Sequence, residues 1–364
     1  MQRLVQLVVL LAIAGGGWSL LSGWGPAQWR EAAQRVGAAL PEVAQGAGPA
    51  QSAPPPAAGA PQFAPPERGY SAPTIRVATF NIRVFGDKKA ENPNVMDAIA
   101  RVVKRFDVVA IQEIRTQDDN FIPRFLSQYV NAGAAPGGPV YDARVSPRLG
   151  RTTSTEQYAF LFNTSTIAVH PNFCSVVPDP DDRLHRPPYA ALFRTNIRAP
   201  HTPFTFTLIN VHVDPDLVGQ ELDALYGVYK QVQRARIAGD ATEDDVILLG
   251  DFNTPVPAAS PYRPNPSARS LTPSDLGLLA RLPGLSPLVR RQATNTRGTR
   301  LYDNILISSL MTTEFVDRGV LDLQRDLGYS RPLTLEQAEM ISDHLPVWGE
   351  FSAIEGRAYR SAAR

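Results

Sequence analysis

Carboxylates, amides and imidazoles stand at the ends of apolar runs throughout the second half of this chain and much of the first. Asn81 closes Val77-Ala78-Thr79-Phe80, Glu113 follows Val108-Val109-Ala110-Ile111-Gln112, and His212 follows Leu208-Ile209-Asn210-Val211. Asp251 and Asn253 lie in Gly250-Asp251-Phe252-Asn253, directly after Val246-Ile247-Leu248-Leu249. Asp303 precedes Asn304-Ile305-Leu306-Ile307, and Asp343-His344 precedes Leu345-Pro346-Val347. A strand buried on both faces holds its terminal side chain rigidly, so several such ends converging at one rim gather these groups around one point. Converging carboxylates repel and normally need a cation among them. Mg²⁺ takes hard oxygen ligands and keeps some waters, which leaves positions open for a phosphate. Imidazoles beside it can shuttle protons or polarise a phosphoryl oxygen. Taken singly, each residue has a plainer use. An Asp or Asn past a strand is ordinarily a turn residue or helix cap, and a lone His is ordinarily a satisfied polar group. The joint occurrence, in this order, is what structural necessity does not supply.

The elements that must position these groups follow from pattern. Strands are expected at Ile75–Val84, Asp107–Ile114, Tyr158–Phe162, Phe204–Val213, Val246–Leu249, Asp303–Ile307 and Pro346–Phe351, runs rich in Val, Ile and Phe bounded by turn residues. Val95, Ile99, Val102 and Phe106 share one helical face, and Val218, Leu222, Leu225, Tyr229 and Val232 share another. Strands interleaved with helices predict sheets covered by helices on their outer faces. No internal repeat is present.

These stretches resemble the endonuclease/exonuclease/phosphatase superfamily, and within it the deoxyribonuclease I-like branch. The resemblance is carried by Ala78-Thr79-Phe80-Asn81-Ile82-Arg83 with Phe85-Gly86, by Ile111-Gln112-Glu113-Ile114-Arg115, and by Leu149-Gly150-Arg151 with Glu156-Gln157-Tyr158-Ala159-Phe160-Leu161-Phe162. Leu225-Tyr226-Gly227-Val228-Tyr229, Gly250-Asp251-Phe252-Asn253, Tyr302-Asp303-Asn304-Ile305 and Ile341-Ser342-Asp343-His344-Leu345-Pro346-Val347 complete it. The implied fold is a four-layer α/β/β/α sandwich, two packed mixed sheets flanked by helices, over residues 74–352. The implied activity is divalent-metal-dependent phosphodiester hydrolysis, with Mg²⁺ (or Ca²⁺ or Mn²⁺) as cofactor and DNA as substrate through its phosphate backbone and minor groove.

The resemblance also implies roles. Glu113 is the principal metal ligand, with Asn81 and Asp343 near the ion or its waters. Asp251 and Asn253 orient the attacking water and the scissile phosphate. His344, held in its tautomer by Asp303, binds or protonates a phosphate oxygen, and His212 is the second imidazole. Arg115 reaches into the minor groove, Arg186 resembles a phosphate contact, and Tyr158 resembles a residue supporting the phosphate pocket. One departure stands out: local matching through Val145-Ser146 and Leu149-Gly150-Arg151 places Pro147 where a glutamate should support His212, leaving Asp214 as its substitute. Others are the absence of the branch's disulfides, since Cys174 is the only cysteine, and a Pro-rich insertion between Pro255 and Pro287 beside the substrate groove.

The chain has 364 residues, 43% hydrophobic and 20% charged, which suits a folded core. A formal net charge of +1 excludes a global field toward polyanions, so any nucleic-acid grip is local. The single cysteine excludes an internal disulfide and any Cys-rich metal motif. Arg3 followed by the apolar run Leu4–Ala14 and a Gly-rich stretch to Trp24 reads as a signal peptide or signal-anchor over residues 1–25. Residues 26–73 read as an Ala/Pro/Gly-rich linker and 353–364 as a disordered tail. The chain is thus expected to be monomeric, membrane-anchored or exported, with its catalytic domain outside the cytoplasm. A membrane-tethered phosphatase or lipid phosphodiesterase on the same scaffold is the competing reading, because an anchor would place the domain near lipid head groups.

Overall fold

In the computed structural model the described residues are 73–134, 138, 140–151, 155–239 and 245–356. The expected N-terminal leader, the linker up to residue 72 and the tail beyond residue 356 lie outside them. Among the described residues no helix is long and apolar enough to cross a membrane.

The chain runs β1 (Thr74–Phe85), α1 (Asp87–Ala90), α2 (Pro93–Val103), β2 (Val108–Ile114), α3 (Phe121–Phe125), β3 (Tyr141–Val145), β4 (Gln157–Asn163), β5 (Ile167–Val176), β6 (Tyr189–Thr195) and β7 (Thr205–His212). It continues through α4 (Val218–Gly239), β8 (Val246–Pro257), a 3₁₀ segment (Pro273–Arg281), β9 (Leu285–Pro287), β10 (Arg300–Ser308), β11 (Phe315–Val320), α5 (Leu335–Ile341) and β12 (Val347–Ser352). The strands form two six-stranded sheets, ordered β11-β12-β1-β2-β4-β3 and β5-β6-β7-β8-β10-β9. Each is mixed. β1 and β2 are parallel in the first sheet and β7 and β8 in the second, while their other pairings are antiparallel.

The central strands are buried on both faces, and that fixes their ends. β2 is buried over Val108-Val109-Ala110-Ile111-Gln112, and β8 over Val246 to Phe252. On the outer side of the first sheet, Ala78, Phe80, Val109 and Ile111 pack with Val95, Ile99 and Val102 of α2 and Ala338 and Ile341 of α5. Between and behind the sheets, Val77, Val108, Tyr158 and Phe160 pack with Leu208, Ile247 and Leu249 and with Leu222, Leu225 and Tyr229 of α4. The helices start where their sequences say: Asn92 accepts from Asn94 N and Val95 N ahead of Pro93, and Thr334 and Gln337 form a capping box at α5.

Buried amides bridge the two sheets beneath the rim. Gln112 Nε2 on β2 donates to Asn210 Oδ1 on β7 at 2.6 Å and to Thr79 Oγ1 at 3.0 Å. Asn210 Nδ2 donates back to Ile111 O at 3.1 Å. A buried amide pair left unmatched is costly, so this exchange selects one register of sheet on sheet. The candidate site residues lie just beyond it.

Candidate active site

The carboxyl ends of the two parallel pairs open at the same rim. In register Asn81 lies beside Gln112 on one sheet, and His212 beside Asp251 on the other. The last pairing depends on Gly250, with φ +150°: a Cβ there would stand 2.0 Å from Val211 O. Only a glycine lets β8 approach β7 that closely.

Three side chains converge on one oxygen of Asp251. Asn81 Nδ2 donates to Asp251 Oδ2 at 2.9 Å, His212 Nε2 lies 3.6 Å from it, and His344 Nε2 lies 3.7 Å from it. Each imidazole is held from behind by its own carboxylate. His344 Nδ1 faces both oxygens of Asp303 at 3.0 and 3.1 Å. His212 Nδ1 meets Glu156 Oε1 at 2.6 Å. The expectation that His212 lacks a carboxylate is therefore corrected. Asp214 does not substitute; its carboxylate faces His185 Nδ1 at 3.6 Å and accepts from Asp216 N. The partner comes from the residue just before β4, because the bridge Leu149↔Glu156 closes the loop ahead of that strand and the alternation continued through Glu156, Tyr158 and Phe160 points all three at the second sheet.

Tyr158 also requires correction. It is fully buried, and its hydroxyl accepts from His212 N at 3.0 Å. It fixes the backbone of His212 from inside the core, so any support it gives the site is indirect and not a contact of its own. Arg186, 7% exposed, directs Nε to His212 O at 3.2 Å and lies 3.5 Å from Glu156 Oε1. Arg115 is half-exposed at the rim, 3.4 Å from Glu156 Oε2 and 3.6 Å from Glu113 Oε2. Glu156 thus sits among His212, Arg186 and Arg115.

The charges follow from these neighbours. Burial pushes Glu156 up, but His212, then Arg186 and Arg115, pull it below the usual carboxylate range. Burial pulls His212 down, yet Glu156 and Asp251 outweigh it and hold the imidazole above its ordinary value, against Arg186. His344 is raised to about 10, burial opposing and Asp303 and Asp251 prevailing. Asp303 is raised to about 6 by burial and Asp251 against the pull of His344. Both imidazoles are held toward the charged form, with Nε2 atoms facing the same carboxylate.

Oxygen ligands gather next to this pair. Asn81 Nδ2 donates to Glu113 Oε1 at 3.2 Å, and Val84 N donates to Glu113 Oε2 at 3.0 Å. The backbone is strained here, with positive φ at Val84 (48°), Glu113 (61°) and Asn253 (49°), conformations that side-chain-bearing residues keep only where the surroundings impose them. Asn253 N donates to Asp251 Oδ1 and its Nδ2 to Val213 O. Asn81 Oδ1 and Asp343 Oδ1 are buried and accept no hydrogen bond. One such oxygen on the side chain that donates to Glu113, and a second on Asp343, fit a hard divalent cation, which satisfies oxygen atoms that no donor reaches. Asp251, Asp303 and His344 also present ligand atoms within 4.8 Å of one another, close enough to hold a cation.

The Asp343-His344 loop is tied down on several sides. Ser342 Oγ donates to Asn81 O at 2.7 Å and accepts from Arg83 N and His344 N. Lys89 Nζ donates to Met340 O and Ile341 O at the end of α5. Burial lowers that ammonium to about 8, with Asp343 and Glu113 opposing the shift. Glu156, Ser342 and Lys89 went unassigned in the sequence. Only Glu156 carried a readable signal, its place in the alternation of β4.

A model of the Endonuclease/Exonuclease/phosphatase family matches residues 78–344, which span every residue of the cluster. Deoxyribonuclease gamma of Rattus norvegicus is 30% identical over 307 residues, covering 81% of this chain and 89% of that protein. Deoxyribonuclease gamma of Homo sapiens is 30% identical over 302 residues, 81% of this chain and 91% of that protein. Deoxyribonuclease-1 of Canis lupus familiaris is 28% identical over 293 residues, 76% of this chain and 91% of that protein. With the matched span, the two mixed sheets and the paired imidazoles in agreement, the chain belongs to the Endonuclease/Exonuclease/phosphatase family, in its deoxyribonuclease I-like branch, and is a hydrolase of the nuclease and phosphodiesterase kind.

Proposed function

We propose that the chain is a DNA endonuclease that hydrolyses phosphodiester bonds with the help of a divalent cation, Mg²⁺ first among them. The observation that carries this reading is the facing pair His212 and His344. Both are buried, each is backed by a carboxylate, and their Nε2 atoms approach one oxygen of Asp251 at 3.6 and 3.7 Å. Two Nε2 groups held toward the charged form and aimed at one point suit the charge that builds on a phosphoryl group in the transition state. The names of the relatives, deoxyribonucleases all, support DNA as the substrate.

Glu113, Asn81 and Asp343 would hold the cation, and Asn253 beside Asp251 orients the reacting groups. When bound, the cation neutralises charge on a non-bridging phosphate oxygen. Asp251 takes a proton from the water whose oxygen attacks phosphorus. The P–O ester bond opposite breaks, and the departing oxygen takes the proton of His344 Nε2. His212 hydrogen-bonds the phosphoryl oxygen, with Glu156 balancing its charge. Arg115, at the rim, is placed to meet the groove of the duplex. The leader in residues 1–25 would carry a monomeric catalytic domain to the membrane or beyond it, where extracellular or periplasmic DNA is the accessible polymer.

Supercoiled plasmid incubated with the purified protein tests the reading directly. Nicking that requires Mg²⁺ and stops with chelator is the expected result. Hydrolysis of a phosphoinositide or phosphomonoester with the plasmid left intact would overturn it in favour of the tethered phosphatase.

A further inference from the structure

We propose that a cavity beside Tyr302 is a second phosphate subsite, taking a neighbouring phosphate of the nucleic-acid strand whose scissile phosphate lies at His212 and His344. The inference rests on the phosphodiesterase reading above. The cavity has a volume of about 620 Å³ and is lined by Arg263 and Asn265 from the insertion after β8, by Asn295 and Arg297 from the turn before β10, and by Arg300 and Tyr302 at the start of β10. No carboxylate is among its lining residues.

It borders the reacting groups through shared structure. The Tyr302 ring lies 5.6 Å from the His344 ring, centroid to centroid. Asn295 pairs with His344 in an isolated antiparallel bridge, and Thr296 N donates to Asp343 O at 2.8 Å. Both walls are built. Asn295 Oδ1 accepts from Thr299 N and Arg300 N at 2.8 Å each, which shapes the turn. Gly298, with φ +72°, lets that turn press on the insertion: a Cβ there would stand 3.0 Å from Ser260 Oγ. Arg263 Nη1 donates to Arg297 O at 3.2 Å, Asn265 Nδ2 to Ala258 O at 2.8 Å, and Tyr262 stacks on the Arg325 guanidinium at 3.7 Å.

The charge is uncompensated where it matters. Arg297 is paired with Glu339 at 2.7 Å, but among the described residues Arg263 and Arg300 make no ion pair. Arginine forks match phosphate oxygens in two-bond geometry. A chain of net charge +1 that grips a polyanion must do so through such local clusters. A strand seated at the imidazole pair carries its next phosphates across adjoining surface, and this is adjoining surface with two unpaired guanidinium groups.

The test compares two substrates in the full-length protein, a DNA duplex and bis(p-nitrophenyl) phosphate, which carries the scissile phosphate alone. For the doubly substituted Arg263→Ala/Arg300→Ala protein, KM for the duplex should rise roughly three- to ten-fold. The slope of log KM against log salt should fall by about 0.9 for each phosphate that an arginine no longer neutralises. Turnover of the small diester should stay at the wild-type level. Arg300→Glu, which leaves the Arg263 hydrogen bond in place, should raise the duplex KM further and again spare the small diester. An unchanged duplex KM and salt slope, with the small diester still hydrolysed, overturns the subsite while leaving the enzyme reading intact. So does an equal loss on both substrates, or loss of binding to phosphoinositide-containing vesicles with the duplex KM unmoved. Wild-type protein that hydrolyses neither substrate overturns the enzyme reading and the subsite together.

Discussion

Replacing Glu156 by Gln keeps the shape of the group behind His212 and removes its charge. In the native site the carboxylate lies 2.6 Å from His212 Nδ1, 3.4 Å from Arg115 and 3.5 Å from Arg186. With an effective dielectric of about 20, opposite unit charges at such separations attract by roughly 5 kcal/mol before desolvation is counted. Each 1.4 kcal/mol or so of that difference is about one pKa unit. Without Glu156, burial and the Arg186 cation act against the imidazolium with only Asp251 left to favour it, so the His212 midpoint should fall and its neutral form should gain at pH 7. A neutral His212 no longer opposes phosphoryl charge, and kcat should fall on the order of 10²–10³. Uncompensated Arg186 should also cost the fold about 3–5 kcal/mol. The sign of the pH dependence is fixed by the two shifts. Glu156, depressed in the fold, stabilises above the unfolded carboxylate range and loses that contribution as pH falls through it. His212, raised in the fold, stabilises below its unfolded value and loses its contribution as pH climbs through the folded one. The stability gap between wild type and Glu156→Gln should therefore be widest between those limits and close in acid. The assays are plasmid nicking from about pH 5 to 9, imidazole proton resonances, and urea midpoints at each pH. A variant within about three-fold of wild-type kcat over that range, or a His212 resonance whose midpoint does not fall, refutes the assignment of Glu156 as the group that keeps His212 charged.

His212→Ala and His344→Ala should each lower plasmid nicking on the order of 10²–10³ with the far-UV spectrum unchanged; near-full activity in either removes that imidazole from the chemistry. Asn81→Ala should weaken Mg²⁺ binding measured by calorimetry by about ten-fold or more, because it deletes a buried oxygen facing no donor. Asn210→Leu should cost about 2–3 kcal/mol by stranding Gln112, and Gln112→Leu/Asn210→Leu should cost less than the two single changes summed. Strict additivity in urea denaturation would mean that the amide pair does not couple the sheets.

The legible part of this molecule is its centre. β2, β7 and the first half of β8 are apolar runs buried on both faces, and Glu113, His212 and Asp251 that follow those runs, with Asn81 inside β1 and Asp303 inside β10, stand out against their apolar neighbours. Edge strands are silent. β5 carries Pro171 and alternates between half-buried and exposed positions, and β11 contains Asp317 and Arg318, so neither has the apolar contrast that marks a strand. β6 is hidden differently, its Tyr189-Ala190-Ala191-Leu192-Phe193 being buried but as compatible with a helix as with a strand.

The support of His212 shows where one-dimensional matching breaks. Matching the stretch around Pro147 treats the segment before β4 as if its spacing were fixed, whereas loops absorb insertions and strands do not. What geometry holds constant is the alternation along β4, which aims Glu156 and Tyr158 at the same neighbour, one at its ring and one at its backbone. The same alternation explains why Tyr158 cannot be a phosphate ligand: a residue two positions along a central strand from a rim carboxylate lies one layer deeper, in the core. The carboxylate behind the His212 imidazole is thus read from the alternation that runs into the strand crossing beneath it, and the spacing of the loop farther upstream does not locate it.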